Sequence, residues 1–446
     1  MNTIAILSGY IMVIVFALYT FFCFTVLIRN NEERKNRIFN RQRLCIFIIM
    51  SIAHILLYIK TYDFTVIIMY VLQIALYFFV ILIYQIFYKK LSKLVLNNMI
   101  MLLATGLFML ERINMEAAIK QLAIAAAGLV VCIFIPVIIN KFKYFDRFGW
   151  IYGFVGLILI AVVYLFAEEI GGAKNWIVIK NVAFQPSEFV KILYVFFVAA
   201  LMCRVTKFRH IVAVSALAAA HVLVLIIEKD LGGALIFFVT YLFVLVVATG
   251  NYLYLVAGFL SVGGAGYLAF QLFSHVRTRF MAWYDPWSII DAGGYQVTQS
   301  LFAIATGGLF GLGFGNGKVN IIPVVESDFI FSAICEELGG VYGFLILLVY
   351  LSCFIMFVNI SMKISNVFFK YASLGLGVMF IFQVFLAVGG VIKFIPSTGV
   401  TLPLISYGGS SVLSVIIMFS IIQGMYVLNK SEKEVSDGEE DGEERQ

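Results

Sequence analysis

Arg277, Arg279, Asp285 and Asp291 fall in one short stretch, where His275-Val276-Arg277-Thr278-Arg279 is followed by Trp283-Tyr284-Asp285-Pro286-Trp287 and then Asp291-Ala292-Gly293-Gly294-Tyr295-Gln296. Guanidinium forks suit phosphate or pyrophosphate. A carboxylate within reach of such cations can accept a proton from an attacking hydroxyl while the cations hold a phosphorylated leaving group. The tryptophans by themselves also fit an ordinary interfacial belt.

Other polar groups sit in apolar surroundings, where an ionisable side chain costs roughly 2.5 to 3.5 kcal/mol on insertion scales. In Phe184-Gln185-Pro186-Ser187-Glu188-Phe189-Val190-Lys191 the proline fits the first turn of a helix, and Glu188 and Lys191 are spaced to share a face. They read either as a structural ion pair or as the lining of a polar cavity. Glu228-Lys229-Asp230-Leu231-Gly232-Gly233 occupies a short connector, a solvated turn on the plain reading. Ser327-Asp328-Phe329-Ile330-Phe331 and Cys335-Glu336-Glu337-Leu338-Gly339 place acids at the start of an apolar run. A hydroxyl-dense stretch from Lys393 through Pro396, Pro403 and Ser406 to Ser411 enters another, where small residues would also permit close helix packing. The run Gly307 to Lys318 is no nucleotide loop, because Val319 follows the lysine and the glycines do not fit the phosphate-loop spacing; a re-entrant backbone suits it better. The six cysteines are scattered, with neither a zinc spacing nor a disulfide framework.

The elements that must position these groups are membrane spans. Of 446 residues, 63% are hydrophobic and 13% charged, with a mean hydropathy of +1.02, which excludes a soluble globular chain. About thirteen apolar runs are long enough to cross a bilayer, near 4–28, 44–59, 64–87, 94–110, 117–139, 148–167, 189–203, 211–227, 231–249, 252–273, 329–359, 366–392 and 404–429. The first has no cleavage site after it and reads as a retained span. Alternate connectors are basic: Arg29 to Arg43, Lys89 to Lys93, Lys141 to Arg147, Arg204 to Arg209, Lys363 and Lys370, and Lys430. The positive-inside rule makes these cytoplasmic, with the N-terminus outside and the C-terminus inside. The bases lie in short clusters between apolar runs, so the net charge of +6 is a topology signal and not a nucleic-acid face. Residues 431–446 are strongly acidic and read as a disordered cytoplasmic tail. Residues 1–93 read as a separable accessory bundle of three spans, and 94–430 as the core. Within the core, residues 274–327 form a long outer loop between the tenth and eleventh spans, far beyond ordinary connection length. The fold expected is all-α and polytopic.

At these residues the sequence resembles the SEDS family (shape, elongation, division and sporulation), the FtsW/RodA/SpoVE group of bacterial membrane proteins. The matches run in the family's order from Gln185-Pro-Ser-Glu and Lys191 through Asp230-Leu-Gly-Gly, Gly294-Tyr-Gln and the glycine-rich run, Ser327-Asp-Phe-Ile-Phe and Glu336-Glu-Leu-Gly, to Pro396-Ser-Thr-Gly-Val-Thr-Leu-Pro-Leu-Ile-Ser-Tyr-Gly-Gly-Ser-Ser411. The resemblance covers about Leu94 to Lys430, ten spans, the family's number. It implies peptidoglycan glycosyltransferase activity in the bacterial cytoplasmic membrane: lipid II polymerised at the outer leaflet with inversion at C1 and undecaprenyl pyrophosphate leaving. It also implies a class B penicillin-binding transpeptidase as partner and a divalent cation, Mg or Mn. The expected substrate-binding set is Gln185, Glu188, Lys191, Asp230, Arg277, Arg279, Gln296, Asp328, Lys393 and Ser406.

The chain departs from the family pattern where it matters. The presumed base, an aspartate six residues before the Gly-Tyr-Gln tyrosine, is replaced by Ile289. Asp291 is read as its displaced equivalent, with Asp285 as the fallback. Ala183 stands where an arginine often does, and Glu228-Lys229 replace a common Gln-Pro, so phosphate contacts would come from Lys180, Lys174 or Lys393. The three N-terminal spans are not part of the usual pattern. Two other functions stay open: a flippase for the lipid-linked precursor, and a non-catalytic scaffold for the transpeptidase.

Overall fold

The structure, a computed structural model, describes residues 2–443 apart from 30, 143, 171–172, 180–181 and 205–206. Its helices in chain order are α1 (Asn2–Ile28), α2 (Glu32–Thr61), α3 (Phe64–Phe87), α4 (Lys93–Ile113), α5 (Met115–Val131), α6 (Ile135–Lys141), α7 (Gly149–Phe166), α8 (Ser187–Met202), α9 (Phe208–Ile227) and α10 (Leu231–Thr249). They continue as α11 (Leu253–Leu272), α12 (Ser274–Tyr284), α13 (Tyr295–Gly307), α14 (Ile330–Lys363), α15 (Val367–Val391) and α16 (Gly409–Glu443). The chain is a polytopic, helical membrane protein. Among the described residues, 12 helical segments are long and apolar enough to cross a bilayer. The apolar run at 189–203 becomes α8, only 16 residues, roughly 24 Å against a hydrocarbon core of about 30 Å. Short polar caps start many helices: Asp63 accepts from the Thr65 amide at 2.8 Å, and Asn114 and Asn366 act likewise.

The core is centred on α4, whose whole span is buried against other helices, whereas α11 buries 6% of its span and faces outward. Close approach explains the small residues of α4. A Cβ on Gly106 would sit 2.6 Å from the carbonyl oxygen of Ile405, so the loop before α16 lies directly on this helix.

Three regions depart from expectation. Residues 274–327 are not an open loop but carry α12 and α13. The connector at 168–184 forms a small antiparallel sheet, β1 (Glu168–Ile170), β2 (Ala173–Ile179) and β3 (Val182–Phe184), in the order β1-β2-β3. The acidic tail, expected to be disordered, continues α16 as far as Glu443; its glutamates and lysine are good helix formers, and a preceding helix removes the nucleation cost. The topology residue Lys143 and the candidate Lys180 lie outside the described residues.

The three N-terminal helices are not a loosely appended bundle. Tyr19 of α1 donates to Asn98 Oδ1 of α4 at 2.8 Å, and Asn97 of α4 donates to Gln42 Oε1 of α2 at 2.9 Å, all buried. His54 of α2 lies 3.3 Å from Glu111 of α4, which also accepts from Gln73 of α3. At the far end of α2, Lys60 donates to the Phe314 carbonyl at 2.9 Å and to Asn316 Oδ1 at 2.5 Å, inside the glycine-rich run. Hydrogen bonds to a charged group are worth about 1.5 to 3 kcal/mol. Lys60→Met is therefore expected to raise amide hydrogen exchange across residues 311–318 about tenfold. Unchanged exchange there would show that Lys60 does not hold the loop.

Candidate active site

The sequence motifs converge at one end of the bundle, the end that carries Lys60, Arg112 and the loops between α9 and α10 and between α15 and α16. Pro186 opens α8, and the Glu188–Lys191 pair forms one turn later at 2.7 Å with both side chains buried. Lys191 Nζ also donates to Gln383 Oε1 of α15 at 3.1 Å, and Ser414 of α16 donates to Glu188 Oε2 at 3.0 Å. Gln383 in turn donates to the Thr401 carbonyl at 3.1 Å, and Ser410 Oγ accepts from the Gln185 amide at 3.0 Å. The ion pair thus ties α8 and α15 to the 397–411 stretch, and both of its charges are hydrogen-bonded.

Asp230 caps α10 by accepting from the Gly233 amide at 2.8 Å. Its second oxygen accepts from Asn175 of β2 at 3.0 Å and from Gln185 at 3.5 Å. A Cβ on Gly232 would lie 2.2 Å from Val400, so the Leu-Gly-Gly turn needs glycine for the loop to pack on it. On the other side of that loop, Arg279 of α12 donates to the Ser397 carbonyl at 3.4 Å, and both Arg279 and Asp328 lie within 4 Å of the Cβ position of Gly399. Trp283 donates to the Lys393 carbonyl at 3.1 Å. Ser406 donates to the Ser327 carbonyl and accepts from the Leu402 amide at 2.9 Å, so its hydroxyl shapes the loop that holds Asp328.

The charges at this mouth are mutually perturbed. Burial pushes the Asp328 carboxyl above its usual range, against the opposing pull of the Ser327 hydrogen bond and of Arg279. Burial does the same to Asp230, opposed by Gly233, Lys191 and Asn175. His275 is driven down by burial and by the charges of Arg279 and Lys229, which favours a neutral imidazole close to those two cations. The plain alternative of a solvated turn does not hold for Glu228, which is fully buried, has no hydrogen-bond partner for either carboxylate oxygen among the described residues, and is pushed up to about 8 by burial and then by Asp230. Its usual value is 4.5. Below that pH the group is protonated in both folded and unfolded chains. The penalty for ionising it in the fold grows from about 4.5 and is complete near 8, where it reaches a few kcal/mol. Glu228→Gln is expected to raise the thermal midpoint of the detergent-solubilised protein at pH 8.5, by about several degrees, and to leave it unchanged near pH 4.5; an equal shift at both would contradict the buried acid.

The two loop aspartates differ sharply. Asp285 is spent on a turn, accepting from the amides of Trp287 and Ser288 at 3.2 and 3.4 Å. Asp291 is exposed, in a single helical turn (Ile290–Ala292), with no hydrogen bond or ion pair to the described residues. Two residues on, the Cβ position of Gly293 is 3.2 Å from Thr278, so this segment folds back onto α12 beside Arg279.

Some expected side chains make no hydrogen bond or ion pair with these groups among the described residues. Arg277 donates to the Gln271 carbonyl at 3.4 Å and lies over the Phe270 ring, pointing back along α11. The reason is the helix itself: 275 and 279 share a face of α12, and 277 takes the opposite one. Lys174 stacks its ammonium on Tyr164 at 4.9 Å. Gln296 is exposed on α13 with no partner among the described residues, and Lys393 contributes its carbonyl. Conversely, Lys229 and the His275 imidazole lie near Arg279 and were not in the expected set.

Glu336 and Glu337 organise a second layer. Glu337 accepts from Arg112 at 3.1 Å and from the Gly315 and Gly317 amides at 2.8 and 3.2 Å, and Glu336 accepts from the Lys318 amide at 2.8 Å. The glycine-rich run is therefore re-entrant backbone wrapped on α14, which breaks at Gly339, where φ is 92°. A Cβ there would lie 2.4 Å from the Leu309 carbonyl, so only glycine fits. Arg112 and Lys60 carry no motif, and only the fold brings them here.

Among the described residues no three His, Cys, Asp or Glu side chains converge to hold a metal ion. A magnesium or manganese ion carried by a substrate pyrophosphate needs only one or two protein carboxylates, and no chemical step is assigned to one here.

Comparison with known proteins gives the family. A family model described as cell cycle protein, FtsW/RodA/SpoVE, matches residues 85–431. Peptidoglycan glycosyltransferase RodA of Mycobacterium tuberculosis is 34% identical over 346 residues, covering 71% of this chain and 74% of its own length. Stage V sporulation protein E of Bacillus subtilis is 28% identical over 316 residues, covering 68% of this chain and 85% of its own. In fold the chain is similar to one solved in a peptidoglycan synthase complex, with a TM-score of 0.63 at 23% identity over 75% of this chain and 97% of that one. With the family model spanning α4 to α16 and the conserved order of motifs gathered at one mouth, the chain belongs to the FtsW/RodA/SpoVE family of polytopic membrane proteins.

Proposed function

We propose that the chain is a peptidoglycan glycosyltransferase that polymerises lipid II at the outer leaflet of the bacterial cytoplasmic membrane, with its N-terminus outside and its C-terminus in the cytoplasm. The observation that carries this reading is the placing of Arg279 with Asp328 on the 397–401 loop at one end of the bundle, beside the segment bearing Asp291, with Lys229 the second cation near the His275 imidazole. The cations hold the pyrophosphate of the donor. Asp291 accepts the proton of the acceptor sugar's 4-hydroxyl as that oxygen bonds to C1 of the donor sugar. The C1–O bond to undecaprenyl pyrophosphate breaks with inversion, and the electron pair leaves on the pyrophosphate beside Arg279. Asp230, Gln185 and the Glu188–Lys191 pair position the loop rather than react.

By likeness to the chain solved in a peptidoglycan synthase complex, a class B penicillin-binding transpeptidase is the proposed partner. A second reading has its own observation: Ile289 stands where the family's loop aspartate usually lies, which favours a scaffold that stimulates its partner without catalysis. The test is purified protein in detergent given lipid II, with and without the transpeptidase and with divalent cation present. Glycan strands support the polymerase. Their absence under every condition overturns it, in favour of the scaffold or of a precursor flippase.

A further inference from the structure

The end of the bundle opposite the mouth carries a second polar feature that the glycosyltransferase reading does not use. α14 places Glu337 at the mouth and Lys363 at the other end, and α2 places Lys60 at the mouth and Lys35 at the other end. Between them is a cavity of about 280 Å³ where the N-terminal helices meet the family core and α16. Its described lining holds five lysines, Lys35, Lys89, Lys93, Lys363 and Lys430, against one acid, Glu32. Glu32 is already paired with Lys35 at 3.0 Å. Lys93 donates to Asn36 Oδ1 at 2.7 Å and lies within electrostatic reach of Lys430 and Arg43.

Gathering like charges around a cavity is unfavourable unless an anion joins them. Ammonium groups with amide donors such as Asn359 and Asn429 suit phosphate oxygens. The rest of the wall mixes the polar Asn36, Ser92 and Tyr426 with hydrocarbon from Val26, Leu94, Met356 and Ile360, a combination that suits the glycerol ester region of a lipid. The lysines stand at the ends of spans, the level of lipid phosphates, and basic pockets between spans on the cytoplasmic side are apt sites for anionic head groups. We propose that this cavity binds the phosphate head group of an anionic glycerophospholipid, which joins the N-terminal three helices to the core. The chain's own acidic residues 431–446 are the competing occupant. They are the less favoured one, because α16 runs on as a helix and carries the stretch as far as Glu443 up to about 20 Å beyond Lys430.

The full-length protein in detergent is titrated with phosphatidylglycerol, cardiolipin, phosphatidylcholine and inorganic phosphate, with thermal midpoint and lipid adducts in native mass spectrometry as readouts. Phosphatidylglycerol and cardiolipin are expected to raise the midpoint and remain bound, and phosphatidylcholine to do neither. Lys363→Gln with Lys430→Gln is expected to weaken binding at least tenfold, while Lys141→Gln with Arg209→Gln, basic residues outside the cavity, leaves it unchanged. Equal loss in both pairs, or no loss in the first, overturns the site. Inorganic phosphate matching the lipids overturns the lipid as the source. A chain ending at residue 431 that binds lipid as the full chain does supports the proposal, and one that binds only once the tail is gone assigns the cavity to the tail. If the first pair fails to fold, competition settles the matter: phosphatidylglycerol that shields Lys363 and Lys430 from amine labelling supports the site, and unchanged labelling overturns it.

Discussion

Asp291→Ala is expected to lower glycan-strand formation from lipid II by at least about a hundredfold, the usual range for loss of a positioned general base, with thermal stability unchanged. The stability expectation follows from exposure and from the absence of any hydrogen bond or ion pair to the described residues. Asp285→Ala is expected to do the reverse. It removes the acceptor of the Trp287 and Ser288 amides, loosening the turn and costing activity a few-fold through misplacement of the segment. Strand length on gels, with initial rates, separates the two. Loss confined to Asp285→Ala would move the base to Asp285, and full activity in both would remove the loop carboxylates from the reaction. Asp291→Asn adds a check on mechanism, since it keeps the shape of the side chain and removes only the proton acceptor.

Lys191→Met is expected to destabilise the folded protein by about 3 to 5 kcal/mol, because it leaves the Glu188 carboxylate buried with only Ser414 as a donor. The double change Glu188→Gln with Lys191→Met is expected to recover most of that loss, since the desolvated charge goes with its partner. Urea or thermal unfolding in detergent measures both. If the single and double variants are equally unstable, the pair contributes through shape and not through charge. The same variants are expected to slow polymerisation, as Gln383 loses the ammonium that orients it toward the Thr401 carbonyl.

Several features of the molecule are written locally along the chain. Apolar runs of span length dictate helices because a single segment can satisfy its own backbone in lipid only as a helix, and 12 helices of that kind are present among the described residues. The Glu188–Lys191 pair follows from spacing on one helix face, and the Asp230 cap from a short polar side chain before a helix of small residues. The order of motifs from Gln185 to Ser411 also carries the family likeness.

Contacts between distant segments were not legible. Nothing in the sequence says that residues 274–284 are helical, and that helix alone puts Arg279 at the mouth and turns Arg277 away. Glu228 looks like a turn residue, yet packing closes over it, because burial belongs to the neighbours and not to the residue. Lys60 reaching the glycine-rich run, Arg112 reaching Glu337, and the lysines from four separate segments that ring one cavity are likewise products of assembly. Residue type and spacing determine which helices form and which faces they offer. Only the packed bundle decides which charges meet, since electrostatic and hydrogen-bond energies depend on distances of a few ångströms between groups hundreds of positions apart.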